Sequence, residues 1–255
     1  MKRNLLVLAL LLLVFGCKKN DNTKKEEENF KGCVIESITS KGSYGDESSN
    51  YTYDGKGRVI KETHTSINYA GNLVRFNCTY EYLEKRINLY NEYVESGRTS
   101  ASNGYYELDS KRRIIKRIDG GIVEEEYEYD SNGYLIGVTD GVYKPLIYEN
   151  GNVVRSGASY PYTADNYYTS EPLLQGEFDF ARLDLLDKVV VLHSYFGKSS
   201  KNLIKSRRED YGPSSRTTTY SFTKDENGNV TRMVKTTGTA PNISTEITNY
   251  TYKCY

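Results

Sequence analysis

One pattern recurs along the chain and constrains its fold more than any other feature. In residues 51–61, two tyrosines alternate with a threonine, a turn rich in Asp and Gly follows, and a β-branched pair comes next. The same order returns in residues 127–136, 148–154 and 220–230, and a copy without glycine occupies residues 105–115. Alternation puts the aromatic side chains on one face of a strand, and Asp-Gly or Asn-Gly pairs adopt the positive φ of tight hairpin turns. The repeats therefore predict a long antiparallel β meander.

The residues within these strands indicate whether the sheet faces lipid or water. A strand in contact with lipid carries an apolar side chain at every second residue. In residues 122–130, glutamates occupy both alternating faces. In residues 113–119, Lys116 interrupts the more apolar face, and a charge at the bilayer midplane costs about 2–4 kcal/mol. The sequence predicts a sheet that is exposed to water.

The repeat is interrupted between residues 155 and 211. Residues 156–176 contain no hairpin unit and are predicted to form a long ordered loop. From about residue 177 to 194, apolar residues recur near helical spacing, with Asp184 and Asp187 on the other side. This predicts one inserted amphipathic helix that covers the concave face or the open end of the sheet, although residues 189–191 would equally suit a strand.

The start of the chain resembles an export signal with a lipid attachment site. Lys2 and Arg3 precede an apolar run from Leu5 to Phe15 that is short for a membrane span. The run ends at Gly16-Cys17, which resembles a bacterial lipobox and implies that Cys17 is lipidated. We therefore expect a signal peptide over residues 1–16, a polar tether over 17–29 and a single β domain over 30–255. An ordinary secretory signal is the alternative.

The remaining cysteines limit the disulfide count. Cys33, Cys78 and Cys254 follow Cys17, so at most one internal bridge forms, and an exported location permits it. The sequence leaves open which two of them pair.

Composition and motifs argue against several functions. Lys and Arg total 34, as do Asp and Glu, so no basic surface for nucleic acid is expected. His64 and His193 are the only histidines, and no Cys/His spacing typical of zinc is present. No nucleophile-elbow or phosphate-loop motif occurs. We predict no catalytic centre, no metal and no cofactor.

The hairpin units carry a resemblance. The Tyr-x-Tyr-Asp-x-x-Gly-Arg-Val order of residues 51–59 resembles the YD repeats of bacterial Rhs and teneurin shells. With the Cys17 motif and residues 196–203, the chain resembles a family of Bacteroidales lipoproteins of unknown function with a porin-like β fold. The resemblance implies a curved or nearly closed antiparallel sheet over most of residues 30–255. It implies no reaction.

Tyrosine is the compositional anomaly, with 25 in 255 residues, and it suits both cross-strand pairing and ligand stacking. The candidate ligand-binding residues are those of the predicted loop: Tyr160, Tyr162, Tyr167 and Tyr168. We predict an anchored outer-membrane lipoprotein, on the periplasmic or the surface side, that binds a glycan or an envelope protein. The alternatives are a structural envelope protein and a hydrolase with an unrecognised carboxylate pair.

Overall fold

The computed structural model describes residues 30, 32–42, 45–68, 70–157, 162–173, 179, 190–212, 214–239 and 242–255. The predicted signal peptide and the predicted tether lie outside these residues. The described part contains sixteen β-strands and one 3₁₀ helix, Val190–Phe196. The strands are β1 Cys33–Gly42, β2 Gly45–Tyr53, β3 Val59–Ile67, β4 Leu73–Tyr82, β5 Arg86–Glu95, β6 Arg98–Leu108, β7 Ile114–Asp119, β8 Ile122–Tyr129, β9 Leu135–Thr139, β10 Tyr143–Glu149, β11 Asn152–Ser156, β12 Tyr162–Pro172, β13 Asn202–Tyr211, β14 Ser215–Lys224, β15 Val230–Thr239 and β16 Asn242–Cys254.

The strands form a closed barrel in which each strand pairs antiparallel with its neighbours in sequence. The last strand returns to the first, with Ile38 opposite Tyr250 and Ser40 opposite Thr248. The predicted antiparallel meander is confirmed, and the barrel closes completely. Closure removes the unpaired sheet edges that an open meander of this length would expose.

Because the connections are hairpins, the barrel has two distinct ends. One end, here called the base, holds the start of β1, the end of β16 and the turns that follow even-numbered strands. The opposite end, here called the rim, holds the turns that follow odd-numbered strands, such as Ser96-Gly97 and Gly120-Gly121. The recurrent Asp turns of the sequence all lie at the base.

Each Asp turn uses its carboxylate to organise the backbone. The backbone N–H groups of Lys56 and Arg58 donate to Asp54 Oδ1 at 2.9 and 3.0 Å. Gly57, Gly133 and Gly228 have φ of +72°, +91° and +85°, which confirms the predicted positive φ. The same carboxylate contacts recur at Asp109 with Lys111 and Arg113, at Asp130 with Tyr134, and at Asp225 with Asn227 and Asn229.

A second repeated feature explains much of the tyrosine content. Five tyrosines near the ends of even-numbered strands, here called the base tyrosines, donate their hydroxyl protons to backbone carbonyls of the preceding strand. The pairs are Tyr53 with Ile35 (2.6 Å), Tyr82 with Val59 (2.8 Å), Tyr129 with Ile114 (2.6 Å), Tyr168 with Val153 (2.7 Å) and Tyr252 with Val230 (2.9 Å). Each of these rings therefore links two adjacent strands at the base.

Arginines of the turns connect one repeat to the next. Arg58 makes an ion pair with Asp54 at 2.6 Å and lies 4.6 Å from the centre of the Tyr82 ring. Arg113 makes the same ion pair with Asp109 and lies 4.3 Å from the Tyr129 ring. A cation over an aromatic face is stabilising by about 0.5–2 kcal/mol. The arginine of one unit therefore stabilises the tyrosine of the next.

The interior of the base is filled by the 3₁₀ helix. Leu192 and Phe196 are fully buried, and the Phe196 ring packs edge-on against Tyr106 and Tyr127, with centroids 6.4 and 5.1 Å apart. The segment that follows is tied to two base turns, because the N–H of Lys198 donates to Gly133 and that of Lys201 donates to Gly151. The base is therefore closed, whereas the rim is not covered by any described element.

The region between residues 155 and 211 contains a strand that was not predicted, and most of its predicted helix is not described by the structure. The predicted loop over 156–176 contains strand β12, because its prolines flank the strand instead of interrupting it: Pro161 precedes Tyr162, and Pro172 is the last strand residue. Most of the helix predicted at about 177–194 lies outside the described residues. The described residues of that range are Asp179, which is not helical, and 190–194, which belong to the 3₁₀ helix; that helix ends at Phe196, two residues later than expected.

The outer wall of the barrel is polar. Exposed charged residues include Lys61 on β3, Arg75 on β4, and Glu124, Glu126 and Glu128 on β8. A wall in contact with lipid would carry an apolar band at these positions. The charged positions of β3, β4 and β8 interrupt such a band, as the strand sequences predicted, and the exposed apolar side chains include Ile122, Val123 and Ile147. Within the described ranges, no helix is long and apolar enough to cross a membrane.

A disulfide joins the two ends of the domain. Cys33 and Cys254 are opposite one another in the β1–β16 ladder and are bonded, across a sequence separation of 221. This settles the pairing that the sequence left open. Cys78 is a buried free thiol in the barrel wall, and burial raises its pKa to about 12.

Candidate binding chamber in the barrel lumen

A chamber of about 390 Å³ lies on the inner face of four consecutive strands, β4 to β7. Its upper part approaches the tip of the β5–β6 hairpin, where a second cavity of about 620 Å³ shares Tyr93 and Ser100 with it. The residues that line the chamber are Phe76, Cys78, Tyr80, Leu89, Asn91, Tyr93, Ser100, Ala101, Ser102, Tyr106, Arg117 and Asp119.

Strand alternation brings these residues together. Side chains two residues apart share a face, so Leu89, Asn91 and Tyr93 of β5 all point into the lumen. Near the base, this inner face is apolar: Ile87 and Leu89 are buried. Towards the rim, the same face becomes polar and exposed, beginning at Asn91. The chamber therefore has an apolar floor and a polar mouth.

A buried acid lies next to Tyr80 of the lining, outside the residues that line the chamber. The Tyr80 hydroxyl donates to Glu62 at 2.9 Å, and Glu62 is only 7% exposed. Burial raises the pKa of Glu62 to about 7, although the bond from Tyr80 partly opposes the increase. Burial and the neighbouring Glu62 also raise the pKa of Tyr80. Near neutral pH, Glu62 therefore exchanges its proton, whereas Tyr80 remains protonated.

One side wall carries an ion pair. Arg117 on β7 lies 3.3 Å from Glu125 on β8, and the Tyr127 hydroxyl donates to the same carboxylate. Burial raises the pKa of Tyr127, so its hydroxyl stays a donor. The charge of Arg117 is thus balanced within the wall. Tyr106 is the direct partner of Arg117 in the β6–β7 ladder, and burial raises its pKa.

The side chains at the mouth of the chamber make few hydrogen bonds to one another. The Asn91 amide reaches Ser102 only at 3.5 Å, at the outer limit of a hydrogen bond. Tyr93 is 40% exposed, and its hydroxyl donates to Glu95 at 3.1 Å. Within the described part of the chain, the Asp119 side chain makes no hydrogen bond. The mouth therefore offers an exposed ring, an amide and a carboxylate to the lumen.

Of the four tyrosines predicted to bind a ligand, the two whose side chains the structure describes, Tyr167 and Tyr168, do not share a surface. Tyr160 lies outside the described residues, and Tyr162 begins β12. Tyr167 is 52% exposed, whereas its neighbour Tyr168 is half-buried and bonded to Val153 and Ser200. Adjacent strand residues point to opposite faces, so Tyr167 and Tyr168 are separated by the sheet. Their role as ligand residues remains a prediction.

The predicted lipid attachment site, Cys17, lies outside the described residues, so its lipidation stays a prediction. Among the described residues, no group of three or more His, Cys, Asp or Glu side chains could hold a metal ion.

Sequence reasoning missed the chamber, although the sequence contains a signal for it. Most inner strand faces are aromatic or aliphatic, whereas Asn91, Ser100 and Ser102 are polar positions of one face in a hairpin. A polar inner face in a closed barrel marks a part of the lumen that is not filled by core. To recognise this signal, one must know that the barrel closes and which strand face then points inward. The sequence alone establishes neither.

These features define a class: a closed sixteen-stranded antiparallel barrel with a filled base and a chamber towards its rim.

No protein-family model matches the chain, and no curated protein is similar to it. A porin-like protein from Bacteroides uniformis is similar, with a TM-score of 0.51 and 16% identity over 86% of this chain and 96% of that one. A porin-like protein from Bacteroides vulgatus also matches, at a TM-score of 0.35 and 11% identity over 86% and 98% of the two chains. The first likeness shows a porin-like fold.

Proposed function

We propose that this protein is a lipid-anchored binding module of the cell envelope, and that its lumen receives a ligand from the rim. The observation that carries the proposal is the chamber, which has a closed floor and a polar mouth. Small-ligand sites are concave and largely pre-formed, with aromatic walls and a few convergent polar groups. The rings of Phe76, Tyr80 and Tyr93, together with Asn91 and Asp119, fit that description.

The proposed anchor gives the chamber an orientation. The N–H of Phe30, the first described residue, donates to the Gly55 carbonyl in a base turn. A tether from Cys17 would therefore reach the barrel at its base, and residues 17–29 span at most about 45 Å when extended. The mouth then faces away from the membrane, where an incoming ligand meets it first.

The disulfide supports an exported location. Disulfides persist in oxidising compartments such as the periplasm and the cell surface, and they are rare in the cytosol. Cys33–Cys254 joins the first and last strands. The bond supports a location outside the cytoplasm, and the outer membrane is our proposal for that location.

Labelling with a palmitate analogue in the cell tests the anchor. The wild type should take up the label, whereas Cys17→Ser should not and should keep its signal uncleaved, because the lipidated cysteine is the cleavage site. Cys78→Ala is the control, since its thiol is buried in the barrel wall. Equal labelling of Cys17→Ser and the wild type would reject the anchor.

Native mass spectrometry of protein isolated from its own envelope tests the binding function. We expect an added mass on the wild type that is lost in Ser102→Trp, which fills the chamber. Thr219→Trp places the same side chain on the outer wall and should keep the mass. If Ser102→Trp retains the mass, the chamber is not the binding site. If no compound accompanies the wild type, a structural envelope role is favoured.

A further inference from the structure

The mouth of the chamber contains hydrogen-bonding groups that the fold does not use. At the base, each turn aspartate accepts bonds from its own turn, as Asp54 does from Lys56 and Arg58. At the mouth, Asp119 and Ser100 make no side-chain hydrogen bond to any other described residue, and Asn91 makes only the long contact to Ser102. A lining of this kind is suited to a ligand with several hydroxyl groups.

The rings of the chamber lie beside these polar groups. Phe76 and Tyr93 come from adjacent strands and are direct partners in the β4–β5 ladder. Both are at least partly exposed, and Tyr93 leaves two-fifths of its surface accessible. A flat aromatic face packs well against an apolar face whose edges carry hydroxyl groups. Sugar rings have this distribution of C–H faces and hydroxyl edges.

The charge of the lining selects among polar ligands. Arg117 is balanced by Glu125, so it does not leave a free positive charge for an anion. Asp119 also interacts with Arg117, so this part of the wall holds two carboxylates for one guanidinium and is net negative. A phosphate, nucleotide or uronic acid would meet this net negative charge, and bringing like charges together in a partly desolvated site is unfavourable. The lining therefore favours a neutral ligand.

We propose, building on the proposed binding function, that the chamber takes a short neutral saccharide or the neutral end of a glycan chain. Its ring faces would stack on Phe76 and Tyr93, and its hydroxyls would bond to Asn91 and Asp119. The chamber volume of about 390 Å³ lies at the lower end of small-ligand sites, so it holds few sugar rings.

The test is a native mass spectrometry screen with a library of neutral, amino and uronic-acid disaccharides and trisaccharides. Neutral members should bind the wild type more tightly than uronic-acid members. Asn91→Ala and Tyr93→Ala should weaken binding by about tenfold or more, the effect expected when a direct contact is removed. Tyr93→Phe should bind like the wild type, because it keeps the ring. Asp119→Asn should reduce the discrimination against uronic acids.

Tyr90→Ala is the matched control, because Tyr90 is an exposed tyrosine on the outer face of β5, the strand that carries Tyr93. Loss of binding in Tyr90→Ala but not in Tyr93→Ala would overturn the inference. So would preferred binding of uronic acids, or no binding by any library member. If none binds while the envelope protein still carries a mass that Ser102→Trp loses, the saccharide inference fails and the binding function stands. If both are absent, both fail.

Discussion

Hydroxyl groups of the base tyrosines satisfy carbonyls that the strand ladder leaves available. Ladder irregularities occur beside the residues that accept these bonds, for example at Ile35 in the β1–β16 pairing and at Ile114 in the β6–β7 pairing. Such a bulge leaves a residue unpaired, and a buried carbonyl without a partner is costly. Tyrosine meets this need because its ring fills the interior while its hydroxyl reaches the neighbouring backbone.

We expect Tyr129→Phe to lower the free energy of unfolding by about 1 kcal/mol, the usual contribution of one hydrogen bond. The ring and its contact with Arg113 are kept, so the change isolates the bond to Ile114. Urea unfolding measures the effect. Tyr90→Phe is the control, because its bond to Glu81 is exposed and should contribute little. Equal stability of the two variants would show that the base hydroxyls are not structural.

Glu62 should make stability depend on pH. Its pKa is about 7 in the folded protein against 4.5 as a free side chain, so the folded state binds the proton more tightly. The stabilisation is complete below about pH 4.5 and is lost as pH rises through 7, a difference of about 3 kcal/mol. The groups facing it are Tyr51, Tyr80 and Cys78, whose own pKa values are raised.

Urea unfolding at pH 5 and pH 8 tests this dependence. The wild type should lose more stability between these values than Glu62→Gln, which has no proton to release. Because the other titrating groups are common to both proteins, the difference between the two pH profiles reports Glu62. Parallel profiles would mean that Glu62 is ionised in the folded protein at pH 5.

The contacts of single side chains were the hardest feature to predict from the sequence. The alternation of Tyr51 and Tyr53 identified a strand, but it gave no indication that one hydroxyl bonds to Ile35 on the neighbouring strand. Nothing in the sequence distinguishes Asn91 and Asp119 from surface residues. Both line the chamber because of the register of β5 to β7. Contacts between strands are set by register, which a single sequence does not state.

Turns are the elements that the sequence predicted best, because their chemistry is local. An Asp or Asn followed by Gly specifies the backbone of a hairpin without reference to the rest of the fold. The copy without glycine fits the same rule, because Arg112 takes the positive φ of +61° in its place. The predicted loop over 156–176 was wrong for the opposite reason: β12 is a strand because it pairs with β13 over many residues.

Gly133 provides a direct test of these turns. Its φ is +91°, and an added Cβ would meet only Arg113 at 3.9 Å, so the cost of a side chain is one of backbone strain. Gly133→Val should destabilise the domain by about 1–2 kcal/mol. Gly133→Asn should cost less, since Asn tolerates this conformation. Thermal unfolding that fails to separate the two variants would contradict the assigned turn.

At the scale of the whole molecule, closure depends on pairing strands from opposite ends of the chain. Bringing β1 to β16 orders a very long loop, and the entropy of loop closure grows with length. The disulfide Cys33–Cys254 offsets this cost by restricting the unfolded chain. The sequence predicted a curved sheet but not its closure, because the partner of the first strand lies more than 200 residues away.

We expect the double variant Cys33→Ala, Cys254→Ala to lose up to roughly 5 kcal/mol of stability, from the loop-entropy relation for a separation of 221. Urea unfolding of the variant under oxidising conditions should match that of the reduced wild type. Cys78→Ala leaves the bridge intact and serves as the control for a lost thiol. Stability equal to that of the oxidised wild type would show that strand pairing alone closes the barrel.

The central claim is that the lumen is open towards the rim and filled at the base. Thiol labelling of native protein with a small charged methanethiosulfonate tests it most directly, in a background of Cys17→Ser and Cys78→Ala. Asn91→Cys should react at a rate close to that of the outer-wall variant Thr219→Cys, whereas Val153→Cys, at a fully buried position near the base, should react only after unfolding. Protection of Asn91→Cys, or labelling of Val153→Cys in the native protein, would contradict the account.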